Sequence, residues 1–350
     1  MSSVAAEPVR RRPAAFRIGV FGALVLALLL SMLFAIGAGR FSVSVPRIIE
    51  ILMAAAANPG LAPTQMDERI VTLVRLPRVL LAALSGAALA VGGAALQGVF
   101  RNPLVSPQVL GISQGAAFGG ALALLLGFSG VVLLGMAFVF GLSALILVGA
   151  LARIDGRTEV ITVILSGMVI GALFGALVSI VQFVADPNTS LPAIVYWLMG
   201  SFSTATWARL GLAIPGMAIG LAVIFLLRYR LNLLALEDSE ARSLGVSPDR
   251  ERWYVFIAIS LMTGTSVAVA GIVGWIGLVV PHAARILVGE DHRVLIPASA
   301  LIGAAYLTFV DTLARTLTAA EIPLGVLTAL IGAPVFGVLL RRHFKEAHRA

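Results

Sequence analysis

The sequence contains no cysteine, and charged residues make up only 12% of its 350 positions. The missing cysteine excludes disulfide bonds, thiolate metal sites and cysteine nucleophiles. The low charge excludes an ordinary soluble domain, in which about a quarter of the residues are charged. Since 59% of the residues are hydrophobic and the mean hydropathy is +1.02, we predict an all-α polytopic membrane protein.

Signs of an enzyme are also missing. The four histidines lack the spacing of a metal site, and His282, next to Pro281, is interpreted as a packing or hydrogen-bonding residue. Neither a Walker phosphate loop nor a catalytic triad is present, and the acidic residues lie almost entirely in loops. We therefore predict no catalytic residues, no metal ligands and no cofactor held by this chain.

Long apolar runs are the dominant feature, and about ten of them could span a membrane at roughly 20 residues each. The run at 276–288 is too short to cross alone and indicates a half-helix buried among the others. The other runs lie at about 16–38, 79–100, 106–127, 129–151, 159–184, 207–227, 253–270, 294–318 and 324–340. The basic N-terminal segment resembles a signal peptide, but its long apolar core favours a retained first helix.

Basic residues predict the orientation of these spans. With both termini in the cytosol, most of the 25 Lys and Arg residues fall in inside loops, as the positive-inside rule requires. The net charge of +8 then reflects membrane topology and needs no nucleic acid. This topology places loops 39–74 and 185–206 outside and the loop at about 235–252 inside.

Ionisable groups are nearly absent from the centres of the spans. An ion-coupled transporter would need such groups, because they form the ion pathway. Asp311 and Arg315 are the exception; their i, i+4 spacing allows a pair on one helix face, which could be self-neutralising or functional. A transporter with this sequence must draw its energy from elsewhere, and an associated ATPase is the natural source.

Three of the connections between spans are longer and more regularly patterned than simple turns, and each predicts short helices. Outside, residues 46–57 predict an amphipathic interfacial helix, and Tyr196, Trp197 and Trp207 predict an aromatic belt around a short helix. Inside, LEDSEARSLG predicts a short helix that Gly245 ends. A second short helix is predicted to follow in SPDRER, with Ser247 as its N-cap. Their mixed charge and exposed leucines favour a docking site for a soluble partner over a solvated loop.

Small residues form ridges on two spans. Gly167, Gly171 and Gly175 recur every four residues, which allows close helix approach in lipid. The ridge could serve packing inside the subunit, or it could line a dimer interface or a pathway. A second ridge runs through Gly86, Ala90 and Ala94.

Two segments carry a resemblance to a known family. The first is RLPRVLLAALSGAALAVGGAALQGVFRNPLVSPQVLGISQGAAFGG, and the second runs from GIVGWIGLVVPHAARILVGEDHR to GVLLRR, residues 271–342. Both are similar to the signatures of permease subunits of bacterial ABC importers for iron-siderophores, haem and vitamin B12. The resemblance implies a type II importer permease: a single transmembrane domain over 1–350, in the inner membrane, that forms a homodimer. It further implies two cytosolic ATPases, which bind ATP and Mg²⁺, and a periplasmic binding protein.

The resemblance also implies roles for individual residues. Arg75, Arg78 and Arg315 would face outward and bind glutamates of the binding protein. Asn102 and Leu104, with Arg157 and Thr158, would form the cytosolic gate, and the helix with the glycine ridge would line the pathway. The coupling loop would contact the ATPase through Leu236, Glu240, Ala241, Arg242, Leu244 and Gly245.

Two departures affect these expectations. The family often has Ala and an acidic residue where this chain has Val105 and Ser106, and the coupling loop is only loosely similar to that of smaller importers. For the substrate we predict an iron compound, haem or ferric siderophore; the alternative is cobalamin. An ion-coupled secondary transporter and an intramembrane enzyme are the alternatives from other classes.

Overall fold

Helices account for nearly all regular structure in the computed structural model, which describes residues 14–39, 41–58, 62–154 and 157–347. Seven helices are long and apolar enough to span a membrane, and three shorter apolar helices accompany them. Together they correspond to the ten predicted runs. The helices are α1 (Ala14–Gly37), α2 (Val45–Ala57), α3 (Met66–Arg69), α4 (Leu76–Val99), α5 (Ile112–Leu125), α6 (Gly130–Ala152), α7 (Val160–Val184), α8 (Ser190–Leu198), α9 (Trp207–Leu234), α10 (Asp238–Ser243), α11 (Pro248–Ala270), α12 (Ile276–Val288), α13 (His292–Thr316) and α14 (Leu324–Ala347).

Helix α4 forms the centre of the bundle and is buried along almost its whole length. Its small residues make this possible: a Cβ on Gly86 would lie 2.1 Å from the carbonyl oxygen of Gly303 on α13. A Cβ on Gly93 would lie 1.9 Å from the carbonyl oxygen of Gly277 on α12. The ridge predicted on this helix therefore packs backbone against backbone inside the subunit.

Two short helices, α5 and α12, are interrupted elements. Their 14 and 13 residues rise about 1.5 Å each, so neither crosses a hydrocarbon core about 30 Å thick. The half-helix predicted at 276–288 is confirmed. The full span predicted at 106–127 is wrong, because a 3₁₀ turn at Pro107–Leu110 and Gly111, at φ +70°, delay the helix until Ile112.

The outer connection differs from prediction in one respect. The amphipathic helix is confirmed as α2, which buries Ile48 and Ile51 and leaves Met53 exposed. However, 66–75 is helical rather than loop: α3 continues through a π-helical turn (Ile70–Arg75) into α4. Arg47 ties α2 to α3 through Asp67, with Nε and Oδ2 2.6 Å apart.

The second outer helix, α8, is also confirmed. Tyr196 and Trp207 are exposed, as an interfacial aromatic belt requires. Trp197 behaves differently, because its ring packs against α5, where a Cβ on Gly120 would lie 2.1 Å from the indole. On the inner side, Arg153–Ile154 and Arg157–Thr158 form a two-residue antiparallel hairpin between α6 and α7.

Candidate coupling, gating and docking surfaces

The inner loop between α9 and α11 folds around one buried anchor. Ala241 of α10 is 1% exposed, and its carbonyl oxygen accepts from the backbone N–H of Val246. Gly245, at φ +81°, ends the helix as predicted, since this left-handed conformation favours glycine. The remaining residues predicted to contact the ATPase are exposed: Leu236, Glu240, Arg242, Leu244 and Gly245.

The second short helix predicted in this loop does not exist as a separate element. Helix α11 runs without a break from Pro248 to Ala270, so SPDRER is the first turn of a long membrane helix. Ser247 occupies the N-cap position with extended backbone, but its side chain makes no capping hydrogen bond. The helix therefore begins at Pro248, more than one turn before the predicted span 253–270.

A cluster of charges joins this loop to the helices around it. After the side of the membrane that the sequence predicts for this loop, we name this group the cytosolic cluster: Arg101, Asp238, Arg242, Asp249 and Arg252. Asp238 accepts hydrogen bonds from Arg252 at 2.6 Å and from Arg101 at 3.0 Å. The guanidinium group of Arg252, and to a smaller extent that of Arg101, holds the pKa of the Asp238 carboxyl below its usual range. Arg242 and Asp249 are 3.8 Å apart and largely exposed.

The link between α4 and α5 carries the predicted gate residues Asn102 and Leu104. Both are exposed, and Oδ1 of Asn102 accepts from the backbone N–H of Leu104 at 2.9 Å, which makes a tight local turn. Arg101 enters this turn at φ +49° and reaches Asp238 of α10. Local spacing does not predict this contact, because the two residues are 137 positions apart in the chain.

The other predicted gate residues, Arg157 and Thr158, form one strand of the hairpin. The residues that follow them, Glu159 and Val160, line a cavity of about 360 Å³ together with Arg101. The link after α4 and the start of α7 therefore meet at the cytosolic cluster.

The glycine ridge of α7 has two different environments. A Cβ on Gly167 would lie 2.1 Å from the carbonyl oxygen of Val109, so this position packs against the 3₁₀ turn inside the subunit. Gly171 has only ordinary contacts near Gly111, and Gly175 has nothing within 4 Å. Large apolar side chains along the rest of the helix are exposed: Ile161, Leu165, Met168, Val169, Leu173, Ile180, Phe183 and Val184.

Of the three arginines expected to face outward, Arg75 and Arg78 are buried and Arg315 is partly buried. We define the outer cluster as Arg75, Arg78, Asp311, Arg315 and Glu321. Arg78 is 8% exposed and donates to both carboxylate oxygens of Asp311, at 2.8 and 2.9 Å, and to those of Glu321, at 2.9 Å each. Such a fork-to-carboxylate geometry is strong and specific.

The remaining two arginines of the outer cluster hold the end of α1. Arg75, 6% exposed, donates to the carbonyl oxygens of Ile36 at 2.6 Å and Gly37 at 3.2 Å. Arg315 donates to the carbonyl oxygen of Ala38 at 2.7 Å, and its Nε is 4.0 Å from Asp311. These contacts satisfy carbonyl groups that a helix C-terminus leaves unpaired. The i, i+4 pair with Asp311 is therefore secondary to the Arg78 fork.

Metal chemistry finds no support in the side chains that the structure describes. No group of three or more His, Asp or Glu residues among them could hold a metal ion. His292 is 6% exposed and contacts Asn232, with 2.8 Å between Nδ1 and Oδ1.

Comparison with known proteins gives several close relatives. The molybdate import system permease protein MolB of Haemophilus influenzae is 43% identical over 92% of this chain and 94% of its own. The cobalamin import system permease protein BtuC of Halobacterium salinarum is 42% identical over 83% of this chain and 78% of its own. The hemin transport system permease protein HmuU of Yersinia pestis is 42% identical over 78% of this chain and 83% of its own.

A solved structure agrees with these relatives. An inward-facing conformation of a metal-chelate type ABC transporter superimposes with a TM-score of 0.84 and 40% identity, covering 93% of this chain and 99% of that one. The FecCD transport family matches residues 26–342. The alternatives of a secondary transporter and an intramembrane enzyme are therefore wrong. The chain belongs to the FecCD transport family and is an ABC transporter permease subunit, in which ATP hydrolysis is the task of a separate ATPase.

Proposed function

We propose that this chain, as a homodimer, forms the membrane pathway of an ATP-driven importer and couples to its ATPase through α10 and the first turn of α11. The single observation that carries the coupling assignment is the asymmetry of α10. Its buried anchor, Ala241, fixes the helix to the bundle, while Arg242 and Leu244 remain exposed beside it. Exposed apolar and charged groups on a rigidly anchored helix suit a docking surface.

The contact between Arg101 and Asp238 supports a gating role for the adjacent link. A movement of α10 would be passed through this ion pair to Asn102 and Leu104, three residues or fewer away. We propose that Asn102, Leu104, Arg157 and Thr158 close the cytosolic end of the pathway. Charge reversal at Asp238 would test this, because it should uncouple ATP hydrolysis from transport while the ATPase stays bound. Normal coupling of ATP hydrolysis to transport in that variant would contradict a gating role for the segment between α4 and α5.

The exposed face of α7 supports the homodimer. Its eight exposed large apolar side chains suit contact with a second copy of the same helix as well as contact with lipid. The cysteine-free chain provides a direct test. Cysteine at Leu173 should cross-link two copies, and cysteine at Leu226, 81% exposed on α9, is the control. Cross-linking at Leu226 alone would contradict the assignment.

The outer cluster changes the docking proposal. Since Arg75, Arg78 and Arg315 are occupied internally, we propose that they fix the outer ends of α1, α4 and α13 against which a binding protein docks. Direct contact with glutamates of that protein would require an arginine to leave its internal partners. Their buried geometry supports the first role more strongly.

The substrate we propose is a metal compound that a periplasmic binding protein delivers. The iron compound predicted from the sequence, haem or ferric siderophore, has support from the hemin permease relative. Molybdate is the second candidate, because the relative with that activity matches the greater share of both chains. Cobalamin is the third, on the cobalamin permease relative.

Elemental analysis distinguishes these substrates. The cognate binding protein, purified from producing cells without chelators, should carry stoichiometric iron, molybdenum or cobalt, measured by plasma mass spectrometry. An absorbance spectrum then separates haem from a siderophore. A binding protein that carries none of these metals would contradict the proposal.

The orientation we propose follows from the same assignments. If α10 meets a cytosolic ATPase, the bundle places the outer cluster on the periplasmic side of the inner membrane. An even number of crossings then returns the C-terminus to the side of the N-terminus, in the cytosol. Reporter fusions at residue 58 and residue 245 should report opposite sides of the membrane.

A further inference from the structure

A small cavity lined by both polar and apolar side chains lies where the interrupted helices α5 and α12 meet α11. Its volume is about 20 Å³. Three hydroxyl side chains of highly buried residues border it: Ser113 at 4% exposure, Thr263 at 2% and Ser266 at 1%. Gly274 and Gly277 place the beginning of α12 in the wall, and Gln108 of the 3₁₀ turn lies beside it.

These three hydroxyls have no hydrogen-bond partner within the described protein. Serine and threonine in a helix usually donate to the carbonyl four residues earlier. Ser260 of α11 does so with Phe256 at 2.6 Å, and Thr312 of α13 with Thr308 at 2.8 Å. Thr263 and Ser266 omit this bond, and Ser113, the second residue of α5, has no carbonyl four residues earlier in its own helix. Burial without a partner is costly for a hydroxyl group.

The same hydroxyls also differ from those that are packed without a partner. The oxygens of Ser85 and Ser299 are enclosed by protein atoms. Those of Ser113, Thr263 and Ser266 retain access to open space, which here is the cavity. A polar cavity needs roughly 10–15 Å³ and two to four polar partners to hold one water molecule. This cavity satisfies both conditions.

We propose that the cavity binds one ordered water molecule, which hydrogen-bonds to Ser113 of α5, Thr263 of α11 and Ser266 of α11 at the beginning of α12. The start of a helix carries a partial positive charge, which suits a water lone pair and disfavours a sodium ion at the same oxygens. A bridging water satisfies buried groups nearly as well as a direct bond, and its geometry adapts to small shifts. The site thus joins α11 to α5 and α12, which begin in the two family-like sequence segments.

The direct test is a high-resolution map of the permease with its ATPase in lipid nanodiscs. We expect density within hydrogen-bond distance of Ser113, Thr263 and Ser266. An empty cavity at a resolution that shows other buried waters would overturn the proposal. Bromide added in place of chloride provides a second arm, since an anomalous bromide signal at the site would identify a halide and also overturn it.

Hydroxyl-radical footprinting in ¹⁸O-water gives an independent readout, because a bound water activated by X-rays labels the side chains around it. We expect labelling of Pro107 and Trp275 in the natural chain and its loss in the isosteric variant Thr263→Val. Ser260→Ala is the matched control on the same helix and should keep the labelling. If Thr263→Val fails to fold, Ser113→Ala provides the same comparison; unchanged labelling in the folded variant would contradict the site.

Discussion

The outer cluster and the cytosolic cluster contain the same types of charged residue but use them differently. In the outer cluster, Arg78 is enclosed and fully engaged by two carboxylates, and Asp311 is 1% exposed. In the cytosolic cluster, the side chain of Asp238 is 36% exposed and that of Arg242 is 60% exposed. The guanidinium group of Arg78 is buried and engaged within the subunit, whereas the cytosolic cluster has exposed charged groups that a partner can contact. The comparison indicates a structural role for the charges of the outer cluster and a docking role for those of the cytosolic cluster.

The largest expected effect is the loss of one partner in the outer cluster. Asp311→Asn leaves Arg78 buried with a single carboxylate, and such removal from a buried pair costs about 3–5 kcal/mol. The free energy of unfolding, measured by thermal or steric-trap unfolding in lipid, should fall accordingly. Asp249→Asn in the cytosolic cluster is the control and should cost about 0–1 kcal/mol. An equal loss of unfolding free energy in the two variants would contradict the different roles assigned to the two clusters.

Charge reversal of Arg75 separates the two roles considered for that residue. If Arg75 fixes the end of α1, Arg75→Glu should reduce folded yield and increase proteolysis near residue 40, because carbonyl oxygens of Ile36 and Gly37 lose their donor. A purely docking residue would leave both unchanged and alter only binding-protein affinity and its salt dependence. Arg69→Glu, on the exposed side chain of α3, is the matched control.

Substitutions on the exposed side of α10 should weaken binding of the ATPase and leave the stability of the permease nearly unchanged. Leu244→Asp and Arg242→Glu remove docking groups that make few contacts within the subunit, so the melting temperature should stay nearly constant. Binding of the ATPase should weaken by about 10-fold or more, since central interface residues commonly cost over 1.4 kcal/mol. Ala241→Asp is the contrasting variant, because it should disrupt the anchor itself. Undiminished ATPase binding by Leu244→Asp would remove α10 from the interface.

The smallest effect is a pH dependence confined to strong acid. The neighbouring arginines lower the pKa of Asp238 below 3.8, so its stabilising contribution is complete above that pH and is lost as the pH falls through the lower folded-state value. ATPase binding should therefore be constant between about pH 5 and pH 8 as far as Asp238 is concerned. A change in that window that Asp238→Asn abolishes would contradict this assignment.

The sequence predicted the features that composition and local spacing determine. Apolar runs located the membrane helices, Gly245 located the end of α10, and the short run at 276–288 identified a half-helix. Residues 106–127 were misread as one span because hydropathy does not register the 3₁₀ turn that Pro107 begins. Residues 66–75 were placed in a loop because their charges hide a helix that continues into α4.

Long-range partners could not be read from spacing. Asp311 suggested a pair with Arg315 on the same helix face, but Arg78, 233 residues away, takes both of its oxygens. Arg101 likewise meets Asp238 at a separation of 137 residues. The glycine ridge of α7 illustrates the same limit, since Gly167 and Gly175 look equivalent in sequence and only the fold shows which one is packed.

The most direct test of the central claim is transport by the purified permease in proteoliposomes, with and without its ATPase. Substrate delivered by the cognate binding protein should accumulate only when the ATPase and ATP are present. Leu244→Asp should abolish accumulation while the permease remains folded. Accumulation by the permease alone, or full ATP-dependent accumulation by Leu244→Asp, would contradict the assignment of energy coupling to a partner that binds α10.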